Sequence, residues 1–122
     1  MSADQNFSLG NGPSGRAQDR RAHPRKPLRT SATLHVSNRS LPARTVDISR
    51  EGIAVVTETN VAFGSEATVG FSLPTGGRGH AMLLRGRVVD VVLCGLDGFR
   101  ISLSLGQLPT DEARLIDQFL AS

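Results

Sequence analysis

Apolar and polar residues alternate along most of this chain. In residues 27–37 (PLRTSATLHVS), Ala32, Leu34 and Val36 fall on one face and Thr33 and His35 on the other. That period of two predicts a half-buried strand. Residues 38–41 (NRSL) read as a turn, and 42–48 (PARTVDI) as a second strand with Val46 and Ile48 inward. A third, short and apolar, covers 52–57 (GIAVVT). Residues 66–73 (EATVGFSL) alternate with Ala67, Val69, Phe71 and Leu73 inward. The composition of 74–79 (PTGGRG) predicts a loop, with Gly76-Gly77-Arg78-Gly79 read as a hairpin loop. A long strand follows over 80–92, with Arg85 and Arg87 on one face. The last, 97–105, has Phe99, Ile101, Leu103 and Leu105 inward and Arg100, Ser102 and Ser104 outward. The period then changes. Pro109-Thr110-Asp111-Glu112 is a helix-start signal with Thr110 as N-cap and two acids in the first turn. Leu115, Ile116, Phe119 and Leu120 share one face of the predicted helix, 110–121, which would cover one opening or side of the sheet. Six short strands separated by turn signals predict an all-β fold, a small antiparallel barrel over 27–105.

Composition narrows the class. A chain of 122 residues fits one domain. With five Phe and neither Trp nor Tyr, the core must be mostly aliphatic. No apolar run approaches the ~18 residues of a membrane span. The start, MSADQNFSLGNGPSG, has neither the basic nor the apolar region of a secretory signal. Together with a single cysteine, Cys94, this predicts a cytoplasmic protein. His23, His35, His80 and Cys94 are too dispersed for metal-ligand spacing, so no metal is expected. Residues 1–19 are expected to be a disordered tail, rich in Gly, Ser and Asn over the first fifteen. The literal GxGxxG of Gly10, Gly12 and Gly15 lacks the preceding strand and following helix of a dinucleotide fingerprint, and Pro13 interrupts it.

Charge changes the picture more. Of the 14 basic residues, 13 are arginine. Residues 16–29 hold six of the 14, Arg16, Arg20, Arg21, Arg25, Lys26 and Arg29, against Asp19 alone, a net of +5. The chain's net charge is +3, so the remainder carries −2. Such a run is commonly a solvated face. Arginine's planar fork also pairs bidentately with phosphate and stacks on rings, which suits an anion-binding arm.

Two constellations could carry chemistry. In Arg20-Arg21-Ala22-His23-Pro24-Arg25, the prolines at 24 and 27 argue against a helix and for an ordered loop leading into the first strand. Asp47-Ile48-Ser49-Arg50-Glu51-Gly52 lies between two strands, at a turn or bulge on the rim of the sheet. Asp and Ser cap such turns and Gly supplies a positive φ, so turn formation alone accounts for all three. The other reading is a carboxylate, a hydroxyl and an open backbone facing one ligand. Arg21 and Arg25 form an RxxxR before the first strand, and a DxSxxG begins 22 residues after Arg25. In that order, the pair resembles the PilZ family, from about Arg20 to Ser122.

The resemblance implies a six-stranded antiparallel barrel with a C-terminal helix and a flexible N-terminal arm (20–26 here) that binds cyclic di-GMP. It assigns Arg21 and Arg25 to guanine and phosphate. A fork matches guanine O6 and N7, and a carboxylate such as Asp47 can accept from N1–H and N2–H. Ser49 is implied to bond ligand or fix the turn, and Gly52 to let the backbone approach. Arg20, just before RxxxR, implies an intercalated cyclic di-GMP dimer. Many members place a large residue on the fifth strand beside the base; here Val88-Val89-Asp90 stands there, and stacking falls to arginine. The expected function is a receptor that orders its arm on binding and so signals to an effector protein. It would be no enzyme, with no cofactor and no nucleic acid or membrane insertion. The alternatives are an interaction adaptor of the same fold with weak or no nucleotide binding, and a basic nucleic-acid-binding barrel, for which exposed aromatic platforms are missing.

Overall fold

Every apolar face described above has to close on another, and the sheet does so by curling on itself. The computed structural model describes residues 24–122. The strands are β1 (Lys26–Pro27), β2 (Ser31–Val36), β3 (Arg39–Ile48), β4 (Gly52–Thr57), β5 (Glu66–Thr75), β6 (Arg78–Leu93) and β7 (Phe99–Ser104). A short 3-10 turn, Gly95–Asp97, joins β6 to β7, and α1 (Thr110–Ala121) ends the chain. All pairings are antiparallel, in the order β1-β3-β2-β5-β6-β7-β4. β4 then pairs back with β3, so β2–β7 form a closed six-stranded barrel. Closure removes the exposed edges that an open sheet of this size would present. The interior is aliphatic as expected: Leu34, Ile48, Ile53, Val55, Val69, Leu73, Val88 and Ile101 are wholly inaccessible to solvent.

The first alternating segment divides in two. β1 pairs with the end of β3 (Lys26 opposite Ile48), whereas β2 pairs with its first half. The jog between them is satisfied by the buried Thr45: its hydroxyl donates to the Leu28 carbonyl and accepts from the Thr30 N–H, and its backbone N–H donates to the Thr30 carbonyl. The β2–β3 turn is shorter than expected. It consists of Ser37 and Asn38, both at positive φ (52° and 63°), the pattern of a tight two-residue hairpin, and β3 already begins at Arg39. The hairpin loop expected within 74–79 forms, and it is shorter than its composition suggests: β5 runs to Thr75, β6 starts at Arg78, and Gly76 and Gly77 turn the chain at φ 64° and 78°. Proline is tolerated at 42 and 74 because each lies beyond the end of a neighbouring strand's pairing.

Two bulges reset the alternation. In β3 the inward residues are Leu41, Ala43 and Thr45, then Ile48, with the irregularity between Thr45 and Asp47. Val46, expected inward, is the extra residue and is only partly buried. Had the phase continued, Asp47 would point into the core; the bulge turns it outward. A second bulge between Val88 and Asp90 leaves Val88 inside and Val89 exposed.

The C-terminal helix forms where expected, but Thr110 is its first residue, not its cap. Pro109 occupies the N-cap position, no side chain caps it, and the Ala113 N–H donates to the Pro109 carbonyl. Ile116 and Phe119 are buried in the barrel's core, with Leu115 and Leu120 partly buried against it. The helix packs on β5. Its last turn is tied to β1: Lys26 Nζ donates to the carbonyls of Phe119 (2.9 Å) and Ser122 (2.8 Å) and lies 4.6 Å from the centre of the Phe119 ring. A cation at a helix C-terminus satisfies carbonyls that have no partner within the helix.

Candidate functional site

The site assembles around the bulge. Asp47 faces outward at the end of β3, 18% exposed. Arg25, in the residue before β1, reaches it because β1 runs alongside β3 at Asp47 and Ile48. Arg25 Nε and Nη2 both donate to Asp47 Oδ1, at 3.2 and 2.9 Å. Arg100 in β7 donates from Nη2 to Oδ2 at 3.3 Å. This second pair crosses β4. Ala54 lies opposite both Asp47 and Ser102, and its methyl group leaves room for the Arg100 side chain to pass. Ala54 faces away from the interior, yet it is fully buried beneath its neighbours.

The rest of the DxSxxG segment builds the turn. Ser49 is fully buried. Its Oγ accepts from the N–H groups of Glu51 and Gly52, both at 3.1 Å, and the Ser49 N–H donates to the Gly52 carbonyl at 2.8 Å. The Ser49 hydroxyl thus serves the backbone. Gly52 is not at positive φ. It is glycine because β7 passes close: a Cβ there would stand 2.7 Å from the Leu103 carbonyl oxygen. Arg50 leaves the turn on the other side and pairs with Asp117 of α1 at 3.3 Å.

A groove of roughly 690 Å³ runs beside this constellation. Arg25, Asp47 and Arg100 form one wall, and Val89 and Asp90 come from the second bulge. The structure therefore brings together Arg25, Asp47 and Gly52, with Ser49 beneath them. Arg20 and Arg21 lie outside the described residues, as do the tail and the first part of the expected arm. Arg100 was missed as a site residue. Its outward position on β7 was legible in the alternation, but nothing local links it to a carboxylate 53 residues away. The small outward Ala54 in the apolar run GIAVVT is the one trace of that crossing in the sequence.

Among the described residues, no cluster of three or more His, Cys, Asp or Glu could hold a metal ion, and no helix is long and apolar enough to cross a membrane. Exposed aromatic surface is limited there to Phe63, in the β4–β5 loop. Phe71 and Phe119 are buried, and Phe99 is partly so.

Two solved structures share this fold. The inhibitor of motility MotI/DgrA of Bacillus subtilis superposes with a TM-score of 0.71 at 16% identity, over 85% of this chain and 51% of that one. The present chain thus spans about half the length of that protein. The PilZ domain of YcgR from Escherichia coli, solved with c-di-GMP, superposes with a TM-score of 0.63 at 16% identity, over 84% of this chain and 90% of that one. No curated protein matches the chain by sequence. Residues 19–122 match the family described as the PilZ domain, and the chain, with its closed six-stranded barrel and C-terminal helix, belongs to the PilZ domain family.

Proposed function

We propose that this protein is a receptor for cyclic di-GMP, binding it in the groove beside Asp47. The observation that carries the reading is the convergence of Arg25 and Arg100 on the two oxygens of one carboxylate at the groove wall. Guanine offers acceptors O6 and N7 on one edge and donors N1–H and N2–H on another. An arginine fork matches the first and a carboxylate the second. The phosphates take the same forks, in charge-assisted bonds. The site thus holds the complementary groups beforehand, paired with one another. Binding exchanges an internal ion pair for ligand contacts. Arg20 and Arg21 precede Pro24 and supply further forks, including the stacking contact of an intercalated dimer. The signal passes when nucleotide replaces the Arg25–Asp47 pair as the link between the arm and the barrel rim, and the combined surface engages an effector protein. This is recognition without catalysis.

A charge-assisted hydrogen bond contributes about 1.5–3 kcal/mol. Arg25→Ala and Asp47→Ala are therefore each expected to weaken cyclic di-GMP binding by about tenfold or more in calorimetric titration. Arg21→Ala is expected to do the same. Two nucleotides per chain would mark the intercalated dimer. Wild-type affinity in both Arg25→Ala and Asp47→Ala would show that the ligand binds elsewhere.

A further inference from the structure

Asp47 is held from two sides, and the two holds differ. Arg25 sends two N–H groups to Oδ1, whereas Arg100 sends one to Oδ2. A carboxylate oxygen offers two lone pairs. Oδ1 is therefore full, and Oδ2 has one site left. The donor edge of guanine presents two parallel N–H groups and needs one open site on each oxygen. At least one of the two Arg25 bonds to Oδ1 has to be given up. Arg100 can stay where it is.

The framework agrees with that division. Arg25 precedes a strand of only two residues, paired on one side. Arg100 sits inside β7, opposite Val56 of β4 and Val92 of β6, with its backbone held between two neighbours. It is also the more exposed of the two, 43% against 22%, so its stem borders the groove.

We infer that Arg100 is a positioning residue for guanine specificity. It keeps the Asp47 carboxylate aimed along the groove and its charge compensated while Arg25 transfers from Asp47 to the nucleotide. The inference rests on the cyclic di-GMP reading above and adds a residue outside both sequence motifs.

The test compares cyclic di-GMP with cyclic di-IMP, in which hypoxanthine replaces guanine and the N2 amino group is absent. O6, N7 and the phosphates are common to both. The wild-type protein should prefer cyclic di-GMP by about tenfold, the equivalent of one charge-assisted hydrogen bond. Arg25→Ala should weaken both ligands together and keep that ratio. In Arg100→Ala the ratio should fall to about threefold or less, because a carboxylate free to rotate loses alignment with two donors at once. Arg100→Met keeps an unbranched stem with neither the charge nor a donor and should behave the same way. Arg100→Lys should restore most of the ratio, because an ammonium can still donate to Oδ2. Thermal melting of each variant checks that the barrel is intact. Full preference in both Arg100→Ala and Arg100→Met would overturn the inference while leaving the receptor reading in place. A wild-type protein that binds neither nucleotide would overturn both.

Discussion

Asp47 and Ser49 stand two residues apart in one motif, yet they serve different atoms. The Asp47 carboxylate faces the groove and two guanidinium groups. The Ser49 hydroxyl is buried and occupied by two backbone N–H groups of its own turn. Removing it leaves those donors without that acceptor, at a cost of about 1–3 kcal/mol. Ser49→Ala should therefore lower stability in urea titration while the folded protein keeps most of its nucleotide affinity. Asp47→Ala should do the reverse. Lost binding at undiminished stability in Ser49→Ala would assign the hydroxyl to the ligand instead. Gly52 shows the same economy of position. Conformational freedom was a sufficient reason to expect glycine there, but the actual reason is the Leu103 carbonyl that would meet a Cβ at 2.7 Å.

Among the strands, alternation located the inward residues well except where a bulge changed its phase. Val46 shows why. A local pattern cannot say whether V-D-I continues one phase or resets it, because Val46 and Ile48 fit a continuous strand as well as a bulged one. The partner strand decides: Thr45 lies opposite Val55 and Asp47 opposite Ala54, so Val46 has no place in the register. The PTGGRG segment left only its length open. Gly and Pro mark both loops and tight hairpins, and only the pairing of Thr75 with Arg78 distinguishes them. Gly76 and Gly77 are open to solvent around the missing Cβ, so their requirement is purely conformational. Replacing both with alanine should cost roughly 1–2 kcal/mol per residue, the strain of an L-residue in the left-handed region. Gly76→Asn alone should be close to neutral, since asparagine tolerates that region. Equilibrium unfolding of the two variants checks the contrast.

Seen as one molecule, the chain's +3 charge says less than its distribution. The motif turn is coupled to the far end of the chain. Arg50 reaches Asp117, and Lys26 caps the last turn of α1. The helix is consequently part of the barrel's core. Ile116 is wholly buried. Ile116→Ala is expected to destabilise the fold by about 2–5 kcal/mol through a cavity at that position. In thermal melting this should appear as one cooperative transition at lower temperature. A helix that melted separately while the barrel persisted would contradict this coupling.

Alternation, turn residues and one amphipathic stretch were enough to determine the six strands of the barrel and the helix, but not the two-residue β1. The family resemblance carried by RxxxR and DxSxxG grouped Arg20, Arg21, Arg25, Asp47, Ser49 and Gly52, of which the last four lie among the described residues. These are local or near-local properties, carried by the backbone's own periods and by short motif lengths. The tertiary structure alone decided which way Asp47 points, that Ser49 is spent on its turn, and that Arg100 completes the carboxylate's surroundings. Those depend on register between strands, and register is set by how whole faces pack when the barrel closes.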